Sequence, residues 1–416
     1  MILYEEEKLT NGLQLIVHHD SSTPMAAVNL TYKVGARDEN PERTGFAHLF
    51  EHLMFGGSAN IPSYDAPLQA VGGDNNAFTS NDITNYYVTL PKNALETALW
   101  LESDRMMELA FSEKSLEVQR NVVIEEFNQR YLNQPYGDVF LLLRPLAYLK
   151  HPYRWPTIGS KVEHIQEASM QEVKDFFYRY YRPNNAVLTI AGDFNMKVVL
   201  PLVKKWFGDI PAGVEIERNY PQEEQQLQER KLTVEREVPL DAIYKAFHMP
   251  DRLHSDYYAF DLLSDILSRG DASRLYRRLV KGKKLFTDAE AYIGGEFDPG
   301  LFTFSGFLNP TASMEEAEEA IWDEIKSVQS EGVNEEELQM VKNKVITAHA
   351  FGQTSVLNKA MGLGIAAVIQ QPDLINQEVE NYKKVTVDDI QRIAKAHLVA
   401  SNSSTLYYRA KKENNG

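Results

Sequence analysis

The first residues of the chain alternate between apolar and polar side chains, which is the pattern of half-buried β-strands. LTNGLQLIVHHD carries an Asn-Gly pair between two such runs, and AVNLTYKVGAR alternates again, so we expect a hairpin and a further strand. From Thr44 the period changes, because apolar residues recur three and four positions apart between residues 46 and 54. This spacing predicts a helix with Thr44 and Gly45 as capping residues and the glycines at 56–57 beyond its end.

The order of predicted elements then repeats, which indicates a duplicated domain. After the first helix come a strand-like segment at 75–91, helical windows at 92–110, 112–132 and 135–149, and a strand at 186–194. The second half has strands at 231–237, 242–249, 286–294 and 301–308, helices at 255–268, 272–281, 314–329, 334–350, 355–370 and 386–397, and a final strand, STLYYRA. Separate runs of strands and helices are typical of α+β folds.

A polar segment separates the two halves. Residues 215–230, EIERNYPQEEQQLQER, lack apolar periodicity and contain a proline, so they predict an exposed linker. We therefore expect two homologous α+β domains, residues 1–214 and residues 231–416, each with an antiparallel-rich sheet packed with helices.

Composition excludes several classes of function. The net charge of −16 argues against a nucleic-acid partner, because binding phosphates requires a concentrated basic surface. The chain has no cysteine, which excludes disulfides, thiolate zinc sites and a cysteine nucleophile, so any metal must be held by His, Asp or Glu. No stretch approaches the ~18 apolar residues that a membrane span requires.

The N-terminus bears on the compartment. MILYEEEKLT places three glutamates where a secretory signal needs a basic start and an apolar run, so we expect a cytoplasmic protein. A leader removed from the natural sequence would make the protein periplasmic instead.

Residues 48–52 read His-Leu-Phe-Glu-His, and this motif carries the chemistry. Positions i and i+4 of a helix lie on one face, so the imidazoles of His48 and His52 can converge on one ion. Glu51 flanks the same face and can act as a general base toward a water without being a ligand. The alternative is a chance coincidence on an amphipathic helix, which is the weaker interpretation for a capped helix in a cysteine-free chain.

The motif lacks a third ligand, because a catalytic zinc normally takes three protein ligands and leaves a fourth position for water. The best window is QRNVVIEEFNQRY, a predicted helix that contains Glu125 and Glu126. Adjacent helical residues point about 100° apart, so one of the two is expected to face the metal. Spacing alone favours neither.

Three segments, GFAHLFEHLMFGGS, NNAFTSNDITNYYVTLP and EVQRNVVIEEF, closely resemble the pitrilysin family (M16) of zinc peptidases with the inverted HxxEH motif. The chain is most similar to the bacterial and mitochondrial-processing-peptidase branch, which uses half-size subunits. The likeness extends over nearly the whole chain and is most specific before the linker. It implies two α+β domains, of which the second has no zinc ligands.

The resemblance also implies which glutamate binds the metal. In the family this ligand follows a VxxxE step and precedes an apolar residue, which matches Val122, Glu126 and Phe127. Glu126 is therefore the expected third ligand, and Glu125 is the second choice. Many members carry a further glutamate two helical turns earlier, where this chain has Gln119.

The segment from Asn75 to Thr79 resembles the family's edge strand, to which a peptide substrate adds through main-chain hydrogen bonds. The resemblance implies that Asn76, Ala77 and Phe78 bind substrate. An ordinary hairpin is the alternative interpretation, because such residues mostly mark turns.

The second half departs from the family at two positions. Many members carry an Arg and a Tyr seven residues apart, after an SRLY-like helix, where the pair holds the substrate backbone. Alignment of SRLYRRLVKGKKLFTDAEA places Val280 and Thr287 there, with Arg277 and Arg278 nearby. In paired half-size enzymes of this type, one subunit can supply the zinc and the other this clamp.

The resemblance implies a zinc endopeptidase that binds one Zn²⁺ per chain and cleaves unfolded or short peptides. We expect a homodimer, or a heterodimer with a second M16 subunit that carries the Arg/Tyr clamp. One alternative is a noncatalytic or partner-dependent subunit of a heterodimeric M16 complex. Another is a zinc hydrolase that acts on small amides.

Overall fold

The computed structural model describes residues 1–411, which form two compact units. The first unit comprises Met1–Arg130, Trp155–Tyr220 and His349–Gln377, and the second comprises Tyr131–Arg154, Pro221–Ala348 and the residues from Glu378 onward. Each unit contains a β-sheet packed with helices. This architecture confirms the α+β class.

The elements are numbered in chain order. The strands are β1 Glu5–Lys8, β2 Gln14–His19, β3 Met25–Tyr32, β4 Asp74–Thr79, β5 Thr84–Pro91, β6 Ala186–Gly192, β7 Arg230–Arg236, β8 Ala242–His248, β9 Phe286–Ile293, β10 Leu301–Leu308 and β11 Ser403–Ala410. The helices are α1 Phe46–Leu53, α2 Asp65–Ala70, α3 Leu95–Met107, α4 Glu113–Phe127, α5 Val139–Ala147, α6 Val162–Gln166, α7 Met170–Tyr180, α8 Met196–Phe207, α9 Tyr257–Ser268, α10 Met314–Glu331, α11 Glu335–Gly352, α12 Val356–Val368, α13 Leu374–Lys384 and α14 Val387–His397.

The sheet of the first unit has the strand order β1-β2-β6-β3-β5-β4. β2 and β6 are parallel, and the other neighbours are antiparallel. β4 is an edge strand that pairs with β5 from Asp74 opposite Thr89 to Thr79 opposite Thr84. The outer edge of β4 has no strand partner in the described part of the chain.

The sheet of the second unit repeats this arrangement. Its order is β7-β11-β8-β10-β9, which corresponds strand by strand to β2-β6-β3-β5-β4. Among the described residues, β7 and β11 are the only parallel neighbours in this sheet, and they correspond to the parallel pair β2 and β6 of the first sheet. Since order and direction both match, the structure agrees with two domains of common design, as predicted from the repeated order of elements.

The two compact units exchange segments of chain. α12 comes after β10 in the sequence, but it packs on β3 and β6 of the first sheet. Gly364 permits this close approach, because a Cβ there would lie 2.7 Å from Oδ1 of Asn29. α5, from the first half of the chain, packs on β8 and β11 in the second unit. The two compact units are therefore not contiguous halves of the chain. The domain spans 1–214 and 231–416 remain a prediction from the repeated order of elements.

Several local predictions agree with the structure, and others differ. The segment predicted as one strand at 75–91 is the hairpin of β4 and β5. The predicted linker, except for its last residue Arg230, lies in an irregular stretch before β7, and Tyr220 ends the first unit within it. Sequence periodicity missed α13, in which Ile375 is the single buried residue. Most of the predicted helix at 272–281 is a π-helix, Tyr276–Gly282.

A buried ion pair connects α3 to the core of the first unit. Glu102 and Arg105 are each about 1% exposed, and the Arg105 Nη2 donates to Oε1 of Glu102 over 2.6 Å. The guanidinium lies over the rings of Tyr64 and Tyr86, each 4.4 Å from the ring centroid. Because the pair is almost fully buried, each charge depends on the other for its stability.

We predict that Glu102→Gln destabilises the protein by about 3–5 kcal/mol, since it leaves the Arg105 charge buried without a counter-charge. The free energy of unfolding can be measured by urea denaturation. Glu117→Gln is the matched control, because it makes the same chemical change at an exposed position of α4, and we expect it to stay within about 0.5 kcal/mol. Equal effects of the two substitutions would contradict the assigned role of the pair.

Candidate metal centre

α1 is amphipathic, and its two faces have different functions. Its apolar side chains pack into the core of the first unit; these are Phe46, Leu49, Phe50 and Leu53. The opposite face carries His48, Glu51 and His52, which are only partly exposed. Burial of the apolar face therefore determines which way the motif points.

The N-terminus of α1 is buried and is capped from outside the helix. Gly45 precedes the helix with φ +93°, and a Cβ at this position would lie 2.6 Å from the carbonyl oxygen of Ile158. The carboxyl group of Glu39 accepts hydrogen bonds from the N–H groups of Gly45 and Ala47, both over 2.8 Å. Burial raises the pKa of Glu39 to about 8, although these two donors act in the opposite direction.

The capping role predicted for Thr44 and Gly45 is therefore only partly correct. Gly45 supplies the backbone conformation, but the Thr44 hydroxyl accepts a hydrogen bond from the N–H of Ser160 rather than from α1. Glu39 was missed, because its position in the sequence gives no sign that its side chain reaches the first turn of this helix.

α4 brings Glu126 to the histidines of α1. Oε2 of Glu126 lies 3.6 Å from Nε2 of His48 and 3.3 Å from Nε2 of His52. One ligand atom from each of the three side chains lies within 4.8 Å of the others, and no comparable trio of His, Asp or Glu occurs elsewhere in residues 1–411. The three side chains that were singled out as metal ligands thus converge.

The three side chains fit a zinc ion in donor type and in spacing. Two imidazoles and one carboxylate are a known ligand set for catalytic zinc. Ligand atoms at 2.0–2.2 Å from a tetrahedral zinc lie about 3.3–3.6 Å apart, and the two distances to Glu126 fall in this range. The three side chains could therefore hold a zinc ion.

The protonation states suit metal binding as well. Burial lowers the pKa of His48 to about 4, so its imidazole is neutral at neutral pH. Hydrogen bonding to His52 lowers the pKa of Glu126, against the opposing effect of burial, so that carboxylate is ionised. Neutral imidazole and ionised carboxylate are the forms that bind metals.

Glu51 lies beside this trio and is held by a residue of the edge strand. The Thr79 hydroxyl donates to Oε2 of Glu51 over 2.6 Å. Burial raises the pKa of Glu51, while the hydrogen bond from Thr79 acts to lower it. A carboxyl group with a raised pKa that is directed by a hydrogen bond is suited to accept and return a proton.

The two adjacent glutamates of α4 have different surroundings. Glu125 is exposed and accepts a hydrogen bond from Nε2 of Gln129. Glu126 is partly buried, and its Oε1 lies 2.9 Å from Nη1 of Arg130, one helical turn later. Because Oε1 is held in this ion pair, Oε2 is the carboxylate oxygen that faces the two histidines. The spacing of Glu126 and Arg130 is a helical i, i+4 pair that sequence analysis could have noted.

The predicted substrate-binding residues lie on the edge strand β4. Asn76 is exposed, and Ala77 and Phe78 are partly buried. Asn75 donates to a carboxylate oxygen of Asp65 over 2.9 Å, which connects the strand to α2. The hairpin interpretation and the edge-strand interpretation are both correct as local structure, because β4 is the outer strand of a hairpin.

The second unit lacks a comparable centre among its described residues. Val280 lies in the π-helix and is partly buried, and Thr287 is an exposed residue of β9 whose hydroxyl donates to the carbonyl of Phe307. Arg278 pairs with Glu324 over 2.8 Å. The two positions that correspond to the family's Arg and Tyr therefore hold Val280 and Thr287.

No helix within residues 1–411 combines the length and the apolar character that crossing a bilayer requires. The cytoplasmic location remains a prediction.

Comparison with known proteins covers nearly the whole chain. Family profiles match at residues 14–158, described as insulinase (peptidase family M16), and at residues 167–345, described as the peptidase M16 inactive domain. The zinc protease PqqE of Helicobacter pylori is 30% identical over 416 residues, which cover 98% of this chain and 93% of the relative. YmxG, an uncharacterized zinc protease of Bacillus subtilis, is 25% identical, and the match covers 80% of this chain and 81% of YmxG.

Solved structures agree in fold. The crystal structure of a protease from Helicobacter pylori superposes with a TM-score of 0.92 at 28% identity, and the match covers 98% of this chain and 100% of that one. The periplasmic protease PqqL of Escherichia coli, at 19% identity and a TM-score of 0.79, is matched over 98% of this chain but only 48% of its own. From these matches to its whole length, we conclude that the chain belongs to the M16 family of peptidases.

Proposed function

We propose that the protein is a zinc-dependent endopeptidase that hydrolyses unfolded or short peptides. The observation that carries this proposal is the convergence of His48, His52 and Glu126 beside the Glu51 carboxyl group. These three side chains would hold one Zn²⁺ per chain. The names of the relatives, which are zinc proteases, support the same assignment.

The chemistry that a zinc ion supplies in such a site is Lewis acidity, which makes water more acidic and a peptide carbonyl more electrophilic. Glu51 is the general base of the proposal. Its Oε2 is engaged by the Thr79 hydroxyl, so Oε1 is the oxygen that takes the proton of the attacking water. The same oxygen returns this proton to the leaving amine. Glu51 needs no bond to the metal for either step.

The edge strand β4 is the proposed binding site for the peptide. Its outer main-chain groups are free of strand pairing in the described residues, and Thr79 at its end contacts Glu51. A peptide that adds to this edge through Asn76, Ala77 and Phe78 is held in an extended form. Recognition of this kind depends on main-chain hydrogen bonds, so unfolded segments of many sequences are expected substrates.

A partner-dependent or noncatalytic subunit is the second candidate function. It is favoured by Val280 and Thr287 at the clamp positions, since a second M16 subunit would then have to supply the Arg and Tyr. The profile of an inactive domain also matches residues 167–345. We favour the peptidase, because the HxxEH motif is whole and the carboxyl group of Glu126 lies beside its two histidines.

We predict that Glu51→Gln lowers the rate of peptide cleavage by about 10²–10⁴-fold, because the general base is lost. The variant should still bind one zinc per chain. The zinc-loaded chain and this variant are each incubated with a mixed pool of unstructured peptides, and cleavage is followed by mass spectrometry. Zinc content is measured on the same samples. Loss of zinc from Glu51→Gln would contradict the division between ligands and base. Cleavage by the wild type alone would also favour a complete enzyme over a partner-dependent subunit.

Glu126→Gln and Glu125→Gln form a matched pair that tests the third ligand. We predict that Glu126→Gln weakens zinc binding by more than the about 10–100-fold that loss of an outer-shell partner costs, because it removes a ligand charge. Glu125→Gln should bind zinc as the wild type does, because Glu125 is exposed and lies outside the trio. Zinc dissociation constants from chelator competition decide between them, and a larger loss for Glu125→Gln would reverse the assignment.

The proposal includes a dimer. The chain spans about half of the length of PqqL, whose fold it shares over its own full length. We infer that two half-size chains, identical or different, assemble to give the number of domains that the longer chain holds. A second subunit with an Arg/Tyr clamp would complement Val280 and Thr287.

We predict a dimer at micromolar concentration, measured by sedimentation velocity on the purified chain. If the chain is instead monomeric, mixing with a clamp-bearing M16 subunit should produce a heterodimer with increased peptidase activity. A strict monomer that neither pairs nor gains activity would contradict the proposed assembly.

A further inference from the structure

Thr79 connects the proposed peptide-binding strand to the proposed general base. It is the last residue of β4, and its hydroxyl donates to Oε2 of Glu51 over 2.6 Å. Glu51 belongs to α1, and the two residues are 28 positions apart in sequence. The structure gives the opposite oxygen, Oε1, no hydrogen-bond partner in residues 1–411. One hydroxyl group therefore fixes the orientation of this carboxyl group.

The place of Thr79 in the strand makes its hydroxyl sensitive to what happens along β4. Side chains alternate in a strand, so Thr79 and Ala77 point to the same face, and Ala77 packs against the core of the first unit. Thr79 pairs with Thr84 on the inner side of β4, whereas the outer side has no strand partner among the described residues. An edge strand that gains a second partner becomes more rigid, because its outer main-chain groups are then also hydrogen-bonded.

We propose that Thr79 is a positioning residue, whose hydroxyl holds Glu51 in the productive orientation and couples this orientation to the binding of a peptide on β4. The inference rests on the proposed function and adds to it a route by which substrate pairing is transmitted to the base. In this proposal Thr79 acts through Glu51 and not directly on the scissile bond or the metal. Its effect is on the rate of the chemical step, not on affinity.

The test compares Thr79→Val, which removes the hydroxyl at nearly constant volume, with Thr79→Ser, which keeps it. We expect Thr79→Val to lower kcat by about 10–100-fold, as loss of an outer-shell partner does, with KM and zinc content unchanged. Thr79→Ser should recover most of kcat. Thr89→Val is the matched control, because Thr89 lies on the neighbouring strand β5, opposite the far end of β4, and its kcat should equal that of the wild type.

Peptide length tests the coupling. In the wild type, shortening the part of the peptide that pairs with β4 should lower kcat, because binding energy there is used to orient the base. In Thr79→Val the same shortening should change kcat little. A readout free of turnover comes from fluorescence anisotropy, in which Glu51→Gln with Thr79→Val should bind a labelled peptide no less tightly than Glu51→Gln alone.

The outcomes separate this inference from the proposed function. If Glu51→Gln remains active, the proposed base is wrong, whatever the Thr79 variants do. If Glu51→Gln is inactive but Thr79→Val has the wild-type kcat, only the positioning role fails. A rise in KM at constant kcat, or a Thr79→Ser variant as slow as Thr79→Val, would also overturn it, because then the hydroxyl is not what acts on Glu51.

Discussion

The hydrogen bonds from the first turn of α1 to the Glu39 carboxyl group determine where the candidate centre stands. The first N–H groups of a helix have no partner within the helix, and a buried helix end requires an acceptor from elsewhere. The carboxyl group of Glu39 accepts hydrogen bonds from the N–H groups of Gly45 and Ala47. Position 45 requires glycine, because a Cβ there would collide with its neighbours. Once this end is fixed and the apolar face is buried, the rotation of α1 is fixed as well. His48 and His52 then face Glu126 of α4.

Three elements that are distant in sequence share the chemistry of this site. α1 gives the two imidazoles and Glu51, the proposed base, and α4 gives the Glu126 carboxylate. β4 gives the hydroxyl on Glu51 and the proposed edge for a peptide. Each contact crosses between elements, so the site exists only in the folded first unit. Up to residue 411, the second unit repeats the sheet order without a comparable trio, which supports the proposal of one centre per chain.

Local patterns in the sequence predicted what depends on local geometry. The i, i+4 spacing of His48 and His52 gives their shared face directly, and the strand patterns give most of the strands but not their order in the sheets. The choice of Glu126 over Glu125 needed a family resemblance, because adjacent helical positions differ only in what they face after packing. Thr79 and Glu39 act across tertiary contacts that leave no periodic trace. The exchange of α5 and α12 between units was missed for the same reason, since nothing in the helix pattern says which sheet it covers.

The central claim is that one zinc ion lies between α1 and α4, next to a peptide bound along β4. A crystal structure of the zinc-loaded Glu51→Gln variant with an extended peptide tests it most directly, with anomalous scattering at the zinc edge to locate the metal. We predict one anomalous peak about 2.0–2.2 Å from His48, His52 and Glu126, and peptide main-chain hydrogen bonds to β4. A peak at other side chains, or a peptide that leaves the edge of β4 unpaired, would contradict the account.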